Sequence, residues 1–139
     1  MPSVLHPSLH RSRVGFPAAI FGLIAGPLAW SGHLLATYAL ASHHCYPGTI
    51  PRTDLPGGAG LWAALLAIDA VALAIALLGA VTAFRGWSAS RAEASHHPLE
   101  VGEGRTRFLA ICGLIASLGF LAAIAIDVIA LFMVPLCRG

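Results

Sequence analysis

The sequence contains no lysine: its eight basic residues are all arginine, and six acidic residues leave a net charge of only +2. Without lysine there is no Schiff-base chemistry and no retinal link. Charge this sparse and scattered cannot form the basic stripe that a nucleic-acid surface needs, so nucleic acid is excluded as a partner. Also missing are a glycine-rich phosphate loop, a CxxC or CxxCH pair, and the HExxH and GxSxG signatures. Those motifs carry nucleotide binding, thiol redox chemistry, c-type haem attachment, zinc peptidase and serine hydrolase activity. The chain is therefore read as non-enzymatic, with no catalytic residue, metal ligand or cofactor-binding residue assigned.

What the sequence has is apolar length. Of its 139 residues 58% are hydrophobic and 10% charged, against about a quarter charged in globular domains, and the mean hydropathy is +0.82. A transmembrane helix needs about 20 mainly apolar residues to cross about 30 Å of hydrocarbon. Three stretches qualify, at about 16–42, 61–84 and 108–136. The expected fold is all-α: one membrane domain covering 1–139, with three transmembrane helices. A Pro/Gly-rich segment joins the first two, and 85–107, with four Arg and three Glu, reads as a solvated connector with room for a short surface helix. The Ala39-x-Ala41 pattern after an apolar run raises the alternative of a signal peptide. Such an h-region is only about 7–15 residues long, and this stretch is longer and broken by Gly26-Pro27, Trp30 and His33. A retained helix is expected.

Arginine bias sets the expected orientation. Arg11 and Arg13 precede the first span and Arg85, Arg91, Arg105 and Arg107 occupy the second connector, leaving Arg52 and Arg138 for the other side. The positive-inside rule then places the N-terminus in the cytoplasm and the C-terminus outside. Trp62 and Trp87 fall near opposite boundaries, where interfacial aromatics anchor a span, whereas Trp30 lies deep in the first one.

Within the spans the informative residues are small or polar. Gly22 and Gly26 form GxxxG, and Gly113 and Ser117 form a small-xxx-small pair; the second span is rich in Ala and carries Gly79. Such positions let helix backbones approach where lipid supplies no hydrophobic drive for association. They serve packing inside the bundle or docking onto a larger subunit. Pro27 removes one helical hydrogen bond, so a kink is expected beside it.

Cys45 and Cys137 follow the outer ends of the first and third spans and so share an oxidising compartment. A Cys45–Cys137 disulfide would clip those helices together, worth on the order of 4 kcal/mol in the chain-entropy account. The alternative is a copper or zinc site built from His43, His44 and Cys45. Cys112 reads as a small packing residue.

His33, Asp69 and Asp127 are the costly residues. At about 1.5 Å per residue they lie about 18, 13 and 15 Å from the outer ends of their helices, and so at one depth. An ionised Asp at a helix centre costs about 2.5–3.5 kcal/mol, so each should find a partner, and a His33–Asp69–Asp127 cluster is expected. Such a cluster is either polar glue or part of a proton or ion path. Toward the cytoplasm only Ser117 and Thr82 would continue a path; toward the outside Thr37 and Tyr38 would. His96 and His97 fall in the connector as solvated residues.

The run Gly26-Pro27-Leu28-Ala29-Trp30, then His33, Tyr38 and Cys45, with Val134-Pro135-Leu136-Cys137 at the end of the third span, resembles a group of small three-helix proteobacterial membrane proteins. These are encoded in gene clusters for haem-copper terminal oxidases or related respiratory enzymes. The resemblance covers the first and last spans, about half the chain. It implies a non-catalytic accessory subunit of a respiratory complex, a cytochrome oxidase above all, in the bacterial inner membrane with a periplasmic C-terminus, with larger membrane subunits and lipids as partners and haem and copper held by those subunits. Two alternatives stand beside it: an oxidase assembly or metallochaperone factor, and a small oligomeric proton or ion transporter using Asp69, Asp127 and His33.

Overall fold

A computed structural model describes residues 16–48, 50, 58–94, 103–134 and 137. Arg11, Arg13, Arg52, Arg138, His96, His97, Pro135 and Leu136 lie outside the described residues. The chain is all-helical, with α1 at Phe16–Cys45, α2 at Gly58–Ala94 and α3 at Glu103–Met133. Each contains a stretch long and apolar enough to cross a membrane.

The helices overrun the hydropathy boundaries, because a backbone ladder does not require apolar side chains. α1 continues through Ser42, His43 and His44 and stops ahead of Tyr46-Pro47, where the residue before proline is pushed out of the α region. α2 runs ten residues beyond Phe84 on a segment containing the helix formers Arg91, Ala92, Glu93 and Ala94. α3 starts at Glu103 and ends at Met133, two residues ahead of Pro135. Of the connector expected at 85–107, residues 85–94 and 103–107 are helix, and 95–102 lie outside the described residues. α1 includes Pro27 without interruption. Beyond α3, Cys137 adopts φ 60°, a left-handed conformation uncommon for a residue with a Cβ.

The chain passes up, down and up, and every helix contacts the other two. The interior is built in layers. Near the start of α1, Gly22 faces Ala83 of α2 and Gly113 of α3. One turn further, Gly26 meets Ser117, and Gly79 meets Ala25 and Ser117. Next comes a small apolar layer of Ala29, Ala72, Ala76 and Ile124, flanked by Trp30, Leu73 and Leu121. His33, Asp69 and Asp127 form the fourth layer. Beyond them Leu65 and Leu61 are buried, and the Cys45–Cys137 disulfide ties α1 to the segment after α3.

The first two layers are close because almost nothing projects from them. A Cβ on Gly26 would lie 2.8 Å from the Ser117 Cα, one on Gly79 2.8 Å from the Ala25 Cβ, and one on Gly113 2.9 Å from the Gly22 carbonyl oxygen. The Ser117 side chain, wholly buried, donates its hydroxyl to the Gly22 carbonyl at 3.0 Å. That carbonyl adjoins the Leu23 carbonyl, which Pro27 deprives of its usual helical donor. Most of each span's surface remains outside the bundle, and large apolar side chains such as Leu35, Ile115 and Phe132 project from it.

Candidate functional site

The polar layer is assembled by register. Four residues separate Ala29 from His33, three separate Ala72 from Asp69, and three separate Ile124 from Asp127, so each polar side chain follows an apolar-layer residue by one helical turn on the same face. His33 and Asp69 are 5% and 4% exposed, and the His33 Nε2 lies 2.5 Å from Asp69 Oδ1. As an N–H···O bond, Nε2 donates to the Asp69 carboxylate. The other ring nitrogen, Nδ1, is buried and has no hydrogen-bond partner among the described residues. Its nearest charged neighbour is Asp127 Oδ2, 3.9 Å away and too far for a direct bond. The Asp127 side chain keeps 38% of its surface exposed. The three residues therefore come together unequally, as one tight buried pair with a second carboxylate held slightly off.

Asp127 is exposed because the bundle opens beside it. A slot of about 490 Å³ lies between α1 and α3, with rims that include Leu34, Tyr38, Ala130 and Val134 and a floor of buried Leu65 and Asp69 from α2. His33, Asp69 and Asp127 line one end, the disulfide lines the other, and Thr37 and Tyr38 lie between. A second groove of about 390 Å³ runs between α1 and α2 past Leu28, Gly32, His33 and Val71. Thr37 lines the slot, but its hydroxyl donates to the backbone carbonyl of His33 at 2.8 Å. Tyr38 is largely exposed.

The remaining candidates fall into place around this slot. Cys45 and Cys137, with Cα atoms 5.2 Å apart, form the disulfide. The Cys45 sulfur is thereby unavailable to a metal, and the His44 Nδ1 donates to the Leu40 carbonyl at 3.2 Å, so the grouping of His43, His44 and Cys45 is not a ligand set. Cys112 is free and half-buried. Trp30 packs against Phe120 at 5.4 Å between ring centroids, Trp62 against Phe132 at 5.2 Å, and Trp87 against Phe84 at 5.7 Å. On the Gly22–Gly79 side of the polar layer the Ser117 hydroxyl is committed to the Gly22 carbonyl and that of Thr82 to the Gly79 carbonyl at 2.8 Å, while Ser31 is exposed on the outside of α1. Sequence reasoning missed Leu65, Ala130 and Leu131 as slot residues. An apolar residue in a span carries no mark that separates lipid contact from a cavity wall.

Fold and site define a class: a three-helix, membrane-competent bundle with a buried His–carboxylate pair at the foot of a side slot. Compared with family models, with curated proteins and with solved structures, the chain matches none.

Proposed function

We propose that the chain is a non-catalytic accessory subunit of a larger respiratory membrane complex, a haem-copper cytochrome oxidase in the first instance, which it stabilises by helix packing. The observation that carries this reading is a division among its glycines. Gly22, Gly26, Gly79 and Gly113 each abut a neighbouring helix, whereas Gly32 on α1 and Gly119 on α3 have no neighbouring-helix atom of the described residues within 4 Å of where a Cβ would stand. In lipid, glycine on an outward helix face serves close approach by another helix, and it costs helix propensity wherever it is not used. Gly32 also lines the apolar groove between α1 and α2. Two vacant notches at membrane depth suit a subunit that leans on larger neighbours.

On this reading the N-terminus is cytoplasmic, the disulfide end is periplasmic, and haem and copper belong to the partner subunits. Arginine bias and the need of Cys45–Cys137 for an oxidising compartment support that orientation. The competing transporter reading is weakened by the small-residue layers, where the two hydroxyls nearest the helix contacts, Ser117 and Thr82, are bonded to backbone and not free to continue a path from His33 toward Gly22. The test is native electrophoresis of membranes solubilised in mild detergent. The chain should migrate stoichiometrically with a haem-containing complex, and Gly32→Leu should release it. Recovery of the wild-type chain solely as a free homo-oligomer would sink the proposal. Presence during assembly but absence from the mature enzyme would transfer it to the assembly-factor alternative.

A further inference from the structure

The slot between α1 and α3 has a polarity that selects its occupant. Along most of its length the walls are Leu34, Ala41, Leu131 and Val134, the polar exceptions being Tyr38 and Thr37, whose hydroxyl is committed to backbone, and such a surface is poorly suited to holding ordered water, which needs several polar partners per molecule. At its foot stand the part-exposed Asp127 carboxylate and the buried His33–Asp69 pair, a setting that favours donated hydrogens and positive charge. The spans contain no lysine or arginine to answer it: none occurs in α1, in α2 before Arg85 or in α3 after Arg107. A second copy of the chain would bring the same deficit. A phospholipid lying with its head group at the membrane surface would put acyl chain beside the carboxylates, the reverse of what they need. The volume of about 490 Å³ falls within the range of pockets that enclose a whole small molecule. Closure of one end by the disulfide and of the bundle beyond the other by the Gly26–Ser117 contact makes the opening a slot rather than a continuous track for a helix.

We propose that this slot binds a small amphipathic amine, its alkyl body between Leu34 and Val134 and its ammonium group on the exposed Asp127 carboxylate, beside the buried His33–Asp69 pair. An alkylammonium brings three donors on one atom. They serve the Asp127 carboxylate, which accepts no hydrogen bond from the described residues. Asp69 stays bonded to Nε2 and holds the ring beside that carboxylate, so His33 reports the arrival of charge there. Selectivity follows from the same groups: an alkanol of equal length offers one donor and no charge, and an alkyl sulfate brings the wrong sign.

The test is a titration of the full chain, ¹⁵N-labelled at histidine and reconstituted in lipid nanodiscs, with dodecylamine, dodecanol and dodecyl sulfate as probes. Dodecylamine should shift the His33 Nδ1 resonance saturably, while the other two leave it in place. Asp127→Asn should weaken that response at least tenfold. Ala130→Trp, a rim substitution that leaves all three polar residues intact, should abolish it. Retained helicity and an intact disulfide in both variants confirm that the bundle still folds. An equal response to dodecanol, no saturation, or wild-type binding by Ala130→Trp would overturn the proposal. So would a photo-crosslinker at position 130 that captures a lysine-bearing membrane helix in native membranes, since the slot would then belong to a protein partner. The titration uses the isolated chain, so it succeeds or fails independently of whether the chain joins a larger complex.

Discussion

The two halves of this bundle solve the same problem, holding three helices together without a hydrophobic drive, by opposite means. Around Gly22, Gly26, Gly79, Gly113 and Ser117 the helices approach until backbone meets backbone, and the one polar side chain at that contact spends its hydroxyl on a neighbouring carbonyl. Around His33, Asp69 and Asp127 the helices stand apart, joined by a buried polar pair and, farther out, by a covalent bond. Contact in the first half is dispersive and intolerant of added volume. In the second half it is carried by a few strong links, and the space between them remains accessible.

That contrast can be broken most directly from the tight side. Gly26→Leu drives a side chain into the Ser117 backbone, from which even a Cβ would be only 2.8 Å away. It should cost about 3 kcal/mol or more, at the upper end for overpacking, and thermal unfolding in detergent should show it as the largest loss of any variant here. Replacing Cys45 and Cys137 by Ala should cost less than the on-the-order-of 4 kcal/mol expected for a soluble chain, about 2 kcal/mol, because inserted helices already confine the unfolded state. Chemical reduction of the wild-type protein provides the matching measurement, and a loss equal to that of Gly26→Leu would erase the distinction between the halves.

Smaller effects sharpen it. Asp69→Ala leaves the His33 Nε2 buried without its acceptor and should destabilise by about 1–2 kcal/mol. Asp127→Asn, at a side chain 38% exposed and 3.9 Å from its nearest partner, should change stability by less than about 0.5 kcal/mol. If the two carboxylates instead cost the same in paired denaturation curves, the division into a bonded and an available carboxylate is wrong. Smallest among the seam changes is Ser117→Ala, which removes the hydroxyl from Gly22 while keeping the close approach. It should cost about 0.6 kcal/mol, the average for an interhelical hydrogen bond in a membrane protein.

Three apolar runs were enough to make the chain an all-helical, membrane-competent bundle, because crossing hydrocarbon demands one length and one polarity whatever the partners. The common depth of His33, Asp69 and Asp127 follows from helix rise alone, and the Cys45–Cys137 pairing from which span ends share a side. Helix ends were less legible: Arg91, Ala92 and Glu93 are polar enough to leave the hydropathy window yet good helix formers. What tertiary structure alone decided is orientation about each helix axis. It turned Gly26 toward Ser117 and Gly32 outward, bonded Asp69 and left Asp127 at an open slot, and made slot walls of Leu65 and Ala130. In a span that is apolar on every side, no hydrophobic stripe marks the inward face, so helix rotation is set by mutual fit of small residues and by the few polar groups that must meet.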